Sequence, residues 1–250
     1  MIPDSIANFY MANQEILWLT TLALDLAFVV LLFRLFGKAG LMVAISTAII
    51  LANLQGPKLT VIFGMETSLG VIFYSSIFFA TDVLSENYGR KAANKAVWMG
   101  FTVSVIVVVM LSFALMYLPS DRPASAEFSQ QIHGAFETIV GFAPNVVFGS
   151  LFAYLVSQRF DVWAFHRIKQ WTGDRNLWLR NNLSTLSSQF IDTMLFSLVV
   201  WAPLFGVLNA AKLGVTKYGI KIMISLIDTP FIYWARYIHR SRRETAAQPA

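Results

Sequence analysis

Apolar runs long enough to cross a lipid bilayer recur along this chain, and they restrict its fold more than any other feature. Residues 16–36 carry Asp25 and Arg34 as their only ionisable side chains. Further runs lie at 40–62, 67–88, 94–118, 138–158, 183–208 and 218–238. Each is close to the roughly 20 residues a helix needs to traverse about 30 Å of hydrocarbon. Hydrocarbon offers backbone N–H and C=O groups no partners, so such runs must be helices or strands of a closed barrel. A barrel would show alternating segments of about ten residues, and the chain has none. The expectation is an all-α integral membrane protein of about seven transmembrane helices in a single membrane domain.

Composition narrows the chemistry. With no Cys, disulfides, thiolate metal sites and a Cys nucleophile are excluded, and His133, His166 and His239 are scattered. No HExxH, GxSxG or Walker A stretch is present, so the reading is not an enzyme, and no cofactor or metal is expected. The net charge of +5 does not argue for nucleic acid, because the basic residues sit between apolar runs. Of the 19 Lys and Arg, all but Lys58, Arg122, Lys212, Lys217 and Lys221 fall on one side of the seven-segment arrangement. The positive-inside rule then puts the N-terminus outside and the C-terminus in the cytoplasm. The N-terminus lacks a signal peptide's basic start and cleavage site, so the first segment reads as retained. "LPSDRPASAEFSQQIHGAFE" reads as an external loop, residues 160–180 as a helix on the cytoplasmic membrane surface, and 240–250 as a disordered tail.

Polar groups at lipid depth are costly and therefore informative. Ser75, Phe79, Asp82 and Glu86 are spaced by four, three and four, which places them on one helical face. Glu86 lies near the basic boundary, where an interfacial salt bridge with the nearby basic residues is favoured over a site; Asp82 needs a partner from another helix. Gly89 fits the helix C-terminus that follows. Asn182, Thr185, Gln189 and Asp192 form a second stripe at three, four and three. Asn53, Gln55 and Lys58 flank Gly56 and Pro57, where the helix should kink or break. Asp228 precedes Thr229 and Pro230, with Lys221 before it and Tyr233 beyond, and reads equally as a site or a structural pair. Asp25, alone on its face, reads as a tie between helices.

"ATDVLSENYGRKAANKAVW", "RFDVWAFHRIK" and "RNNLSTLSSQFIDT" resemble the bacterial queuosine precursor transporter family, also called the vitamin uptake transporter family, over about residues 45 to 240. The resemblance implies an importer of 7-deazaguanine bases such as 7-cyano-7-deazaguanine and its aminomethyl derivative, set in the bacterial inner membrane. It also implies a six-helix core, residues 40–239, similar to the substrate-binding subunits of energy-coupling factor transporters, with 1–39 as an extra N-terminal helix. The partners expected are a purine-like small molecule and the bilayer, with homo-oligomerisation left open. One carboxylate can accept the paired N–H groups of a deazaguanine, and an amide or Lys58 can donate to its carbonyl. The expected binding set is thus Asn53, Gln55, Lys58, Phe79, Asp82, Glu86, Gln189, Asp192, Asp228 and Tyr233, with Phe79 or Tyr233 stacking on the base. Two alternatives remain: a substrate-binding subunit that needs an ATP-driven partner, and a major facilitator, whose short loop motif resembles Gly89-Arg90-Lys91 but whose twelve spans and internal repeat are missing.

Overall fold

The computed structural model describes residues 3–141, 144–173 and 175–247. Among them run α1 (Asp4–Ala12), α2 (Gln14–Phe36), α3 (Lys38–Gln55), the strands β1 (Leu59–Ile62) and β2 (Met65–Ser68), and α4 (Gly70–Leu115). There follow α5 (Ala126–Val140), α6 (Pro144–Thr172), α7 (Leu177–Phe205), α8 (Val207–Ile227) and α9 (Thr229–Ala247). Four helices are long and apolar enough to cross a membrane, α2, α3, α4 and α7; α5 and α6, bent by 48°, would make a fifth together.

The burial pattern is that of a protein whose solvent is lipid. The inward face of α7 is largely polar, with Arg180, Asn181, Asn182, Ser184, Thr185, Ser188, Gln189, Asp192 and Thr193 all buried. Leu183, Phe190 and Leu198 of the same helix point outward. In water this arrangement would expose apolar surface and desolvate polar groups at once; in a bilayer both terms reverse.

Residues 72–85 of α4 are buried almost without interruption, which makes this arm the centre of the bundle. Side-chain pairings give the directions of its neighbours. Tyr74 meets Asp192, Asp82 meets Thr185 and Glu86 meets Arg180, so α4 and α7 are antiparallel. Asp161 meets Ser188 and Ser157 meets Asp192, so α6 also opposes α7 and runs with the first arm of α4. Beyond Gly89 the sense changes. Arg90 shares a cavity with His166 and Gln170 while Tyr154 bonds the Val97 carbonyl, so the second arm opposes α6. Gly89, at φ 81° and ψ 174°, is therefore a reversal made by one residue, a conformation with φ > 0 that glycine adopts without a Cβ penalty. The C-terminus expected there is present. At 46 residues and roughly 69 Å, α4 exceeds twice the hydrocarbon thickness, so the reversal resolves its length.

Several boundaries differ from the sequence reading. The second segment stops at Gln55 rather than 62, because Pro57 withholds the next donor. The chain then turns through an antiparallel hairpin, pairing Leu59 with Ser68 and Ile62 with Met65. Ser68 Oγ clasps its base by donating to the Gly56 carbonyl at 2.6 Å. Part of the expected external loop is helical as α5. Residues 160–172 continue α6 instead of forming a separate surface helix, with Asp161, Val162, Phe165 and Ile168 buried. The segment expected at 218–238 is cut at Asp228, since Pro230 suits the first turn of a new helix and not the interior of an old one. Of the expected tail, residues 240–247 are helical within α9, while 248–250 lie outside the described residues.

Gly40 fixes how closely α3 follows α2, because a methyl group there would collide with the Leu32 carbonyl. Gly134 of α5 has nothing within 4 Å of that position. Gly40→Ala is expected to cost about 1–3 kcal/mol by overpacking. Gly134→Ala should leave stability unchanged or slightly raised, and thermal unfolding of both variants in detergent checks the contrast.

Candidate functional site

The polar faces of α4, α6 and α7 meet in three layers stacked along the bundle. At the basic end the carboxylate of Glu86, 4% exposed, is surrounded by cations from three other helices. Arg180 donates Nε to Oε2 at 3.1 Å and Nη2 to Oε1 at 2.8 Å. Lys169 Nζ lies 3.0 Å from Oε2, and Arg236 Nε 3.3 Å from Oε1. Arg180 is fully buried, and its remaining Nη1 donates to the carbonyls of Gly173 and Arg175 in the turn between α6 and α7. One carboxylate thus joins α4, α6, α7 and α9, in a geometry whose fork-to-carboxylate pairing is the strong form of such a contact.

About 18 Å along α4 from Glu86, on the side of the hairpin, Tyr74 Oη donates to Asp192 Oδ1 at 2.6 Å. Ser157 Oγ donates to the same oxygen at 3.2 Å, and Lys221 Nζ of α8 lies 2.7 Å from Oδ2. Asp192 is fully engaged. Both end layers are ion pairs held among buried groups.

The middle layer is different. Thr185 Oγ1 donates to Asp82 Oδ2 at 2.8 Å and Ser188 Oγ to Asp161 Oδ1 at 2.7 Å, and the two carboxyls face each other. Asn181 Nδ2 donates to Asp228 Oδ1 at 2.8 Å alongside them. Apart from this contact between the two carboxyls, Asp82 Oδ1, Ser85 Oγ, Asp161 Oδ2, Gln189 Oε1 and both amide atoms of Gln158 are buried without a hydrogen-bond partner among the described residues. A buried donor or acceptor left unpaired costs about 1–3 kcal/mol, so a run of them on facing helices makes this layer the candidate site.

Of the expected residues, the structure brings Asp82 and Gln189 into this middle layer, with Asp228 at its edge. Asp192 belongs to the layer nearer the hairpin. Glu86 makes the salt bridge that was one of its two readings, although with Arg180, Lys169 and Arg236 rather than with Arg90 or Lys91. Asn53 bonds the Ile49 carbonyl of its own helix, Gln55 ends α3 half-buried, and Lys58 is exposed. No hydrogen bond among the described residues joins these three to the face of α7. Phe79 is in the apolar core, and Tyr233 Oη accepts from the Trp178 amide at the start of α7, which gives the ring a structural task. Asp25 faces Ser76 of α4, as a tie between helices would.

Asp161 and Gln158 are absent from the sequence reading. Their signal is Ser157, Gln158 and Asp161 recurring on the side of α6 away from Trp163. Lys221 pairs with Asp192 rather than with Asp228 on its own side of the Pro230 break. Two open pockets, one lined by Arg90, Trp163, His166, Arg167 and Gln170 and the other by Phe205, Asn209, Lys212, Leu213 and Thr216, include no middle-layer residue.

Removing Glu86 would leave Arg180 buried without its counter-charge. Glu86→Gln is expected to destabilise the protein by about 3–5 kcal/mol, and Lys169→Ala, whose side chain is 28% exposed, by about 1 kcal/mol or less. Chemical unfolding of the two variants in detergent provides the comparison.

Known proteins align with the chain along most of its length. Residues 68–235 match the family model described as "Putative vitamin uptake transporter". A "Probable queuosine precursor transporter" of Bacillus subtilis (strain 168) is 39% identical over 220 residues, covering 88% of this chain and 93% of the relative. The "Queuosine precursor transporter" of Escherichia coli (strain K12) is 25% identical over 169 residues, covering 66% and 71%. A "Probable queuosine precursor transporter" of Haemophilus influenzae is 25% identical over 171 residues, covering 66% of each chain. No solved structure matches significantly. The matched span takes in all three polar layers except Arg236, and on these similarities the chain belongs to the vitamin uptake transporter family.

Proposed function

We propose that the chain imports queuosine precursors across the bacterial inner membrane, taking 7-deazaguanine bases such as 7-cyano-7-deazaguanine and its aminomethyl derivative. The observation that carries this reading is the middle layer, where carboxylate and amide atoms at lipid depth are only half satisfied while the layers on either side are closed by ion pairs. A deazaguanine presents a ring N–H and an exocyclic amino group side by side, which the free oxygens of Asp82 or Asp161 match. Its ring carbonyl needs a donor, and Gln158 Nε2 is one. The base would pair with groups that lack partners, so recognition carries a small desolvation cost on the protein side.

The same reading orders the chain in the bilayer. Seven crossings result when α2, α3, the two arms of α4, α6, α7 and α8 each span once, with α9 at the cytoplasmic surface and the N-terminus outside. The Glu86 layer is then the cytoplasmic closure and the Asp192–Lys221 pair the outer one. A base held between them moves inward when the Glu86 contacts part and the outer pair stays formed.

In cells that cannot make the precursor, expression of the chain should raise uptake of labelled 7-cyano-7-deazaguanine well above that of guanine. Uptake no greater than in cells carrying an empty vector would sink the proposal. Asp82→Asn, Asp161→Asn and Gln158→Leu, inserted at wild-type levels, should each slow uptake by about tenfold or more, the loss expected for one buried hydrogen bond to a polar ligand. Asn53→Ala should transport like the parent.

A further inference from the structure

The last turns of α6 and the start of the second arm of α4 flank a half-open cavity of about 320 Å³, lined by Arg90, Trp163, His166, Arg167 and Gln170. No carboxylate lines it, and the nearest acidic group on the facing helix, Glu86, is already taken up by Arg180, Lys169 and Arg236. Among the described residues no ion pair engages Arg90 or Arg167. Arg167 is steadied by Gln170 Oε1 at 3.2 Å and by the Trp171 ring at 5.5 Å. His166 Nε2 is buried with no hydrogen-bond partner. The cavity is a cluster of N–H donors around uncompensated positive charge, which calls for an anion with several acceptor oxygens.

What kind of anion follows from the face of α6 on which the cavity opens. At 100° per residue, Phe148, Phe152, Val156, Arg159, Trp163, His166, Arg167 and Gln170 all fall within one sector of about 100°. Phe148, Phe152 and Val156 are exposed, as is Trp163 at the mouth of the cavity. Along a single face the helix therefore changes from an apolar stripe to a level shared by Arg159 and Trp163 and then to His166 and Arg167. The order of a phospholipid is the same, from acyl chain through the glycerol level to phosphate.

We propose that this cavity binds the headgroup of an anionic phospholipid from the leaflet at the basic end of the bundle, with its phosphodiester between Arg90 and Arg167 and its acyl chains along Phe148, Phe152 and Val156. The arginine forks match phosphate oxygens in a bidentate manner, and His166 Nε2 faces the same space. The second arm of α4 and the end of α6 would then be tied together by a lipid bridge, independently of whatever occupies the middle layer.

Native mass spectrometry and thermal unfolding of the purified full-length protein test this. Phosphatidylglycerol should be retained and raise the unfolding midpoint, and phosphatidylcholine of the same chain length should do neither. Arg90→Gln with Arg167→Gln should weaken phosphatidylglycerol retention by about tenfold or more, since each basic residue near an anionic headgroup contributes appreciably, and Lys95→Gln should not. Should the double variant fail to fold, Arg167→Gln alone and the wild-type lipid comparison still decide. Equal retention of the two lipids, or unchanged retention by the variant, overturns the proposal. Displacement of phosphatidylglycerol by inorganic phosphate, or an equal midpoint shift from inorganic phosphate, identifies a soluble-anion site and overturns the lipid assignment.

Discussion

A bilayer cannot hydrogen-bond, and everything distinctive about this structure depends on that. Because lipid rewards an apolar exterior, the polar side chains of α7 have nowhere to go except inward, where they must find one another. The two helices they face, α4 and α6, carry polar groups at matching heights. The three layers are the result: each is a place where a row of one helix meets the complementary row of another.

The layers are not equivalent in energy. In the Glu86 layer every strong donor of Arg180 has an acceptor, and in the Asp192 layer every carboxylate lone pair that matters is met. Such buried pairs are worth little relative to apolar packing but are costly to half-dismantle, so they act as all-or-none contacts between helices. The middle layer has the opposite character. Asp82 and Asp161 spend one oxygen each on a hydroxyl and, beyond the contact between the two carboxyls, have no further partner among the described residues. On the function proposed above, saturated layers on both sides of an unsaturated one would serve alternating access, with end contacts that exchange and a centre completed by its passenger.

How legible this was in the sequence depends on the range of the interaction. The stripe Asn182, Thr185, Gln189 and Asp192 is local to one helix, and all four are buried as their three- and four-residue spacing implies. Gly89 was legible for the same reason, since an acid-rich helix end followed by glycine and two basic residues is a local pattern. Asp161 was hidden by its company: Trp163, Arg167 and Trp171 give the segment the look of a surface helix, while the face carrying Asp161 turns into the bundle. The partners of Glu86, Asp192 and Asp228 could not be read, because they depend on the heights at which separate helices settle. For Lys221 that height is set by the start of α8 at Gly206 and its end before Pro230, breaks that a continuous segment at 218–238 conceals. The hairpin at 59–68 was missed because four-residue strands carry almost no periodic signal, although Pro57 already announced that the helix must stop.

The one-residue reversal at Gly89 has a mechanical consequence. A loop of several residues would give slack, letting one arm slide along its axis while the other stayed put. Here there is none, so a piston-like displacement of the arm bearing Asp82 and Glu86 must be delivered at full stroke to the arm bearing Arg90 and Trp98. The buried centre of the bundle is thereby geared to a helix whose far side meets lipid, and the membrane itself becomes a load against which the central arm has to work.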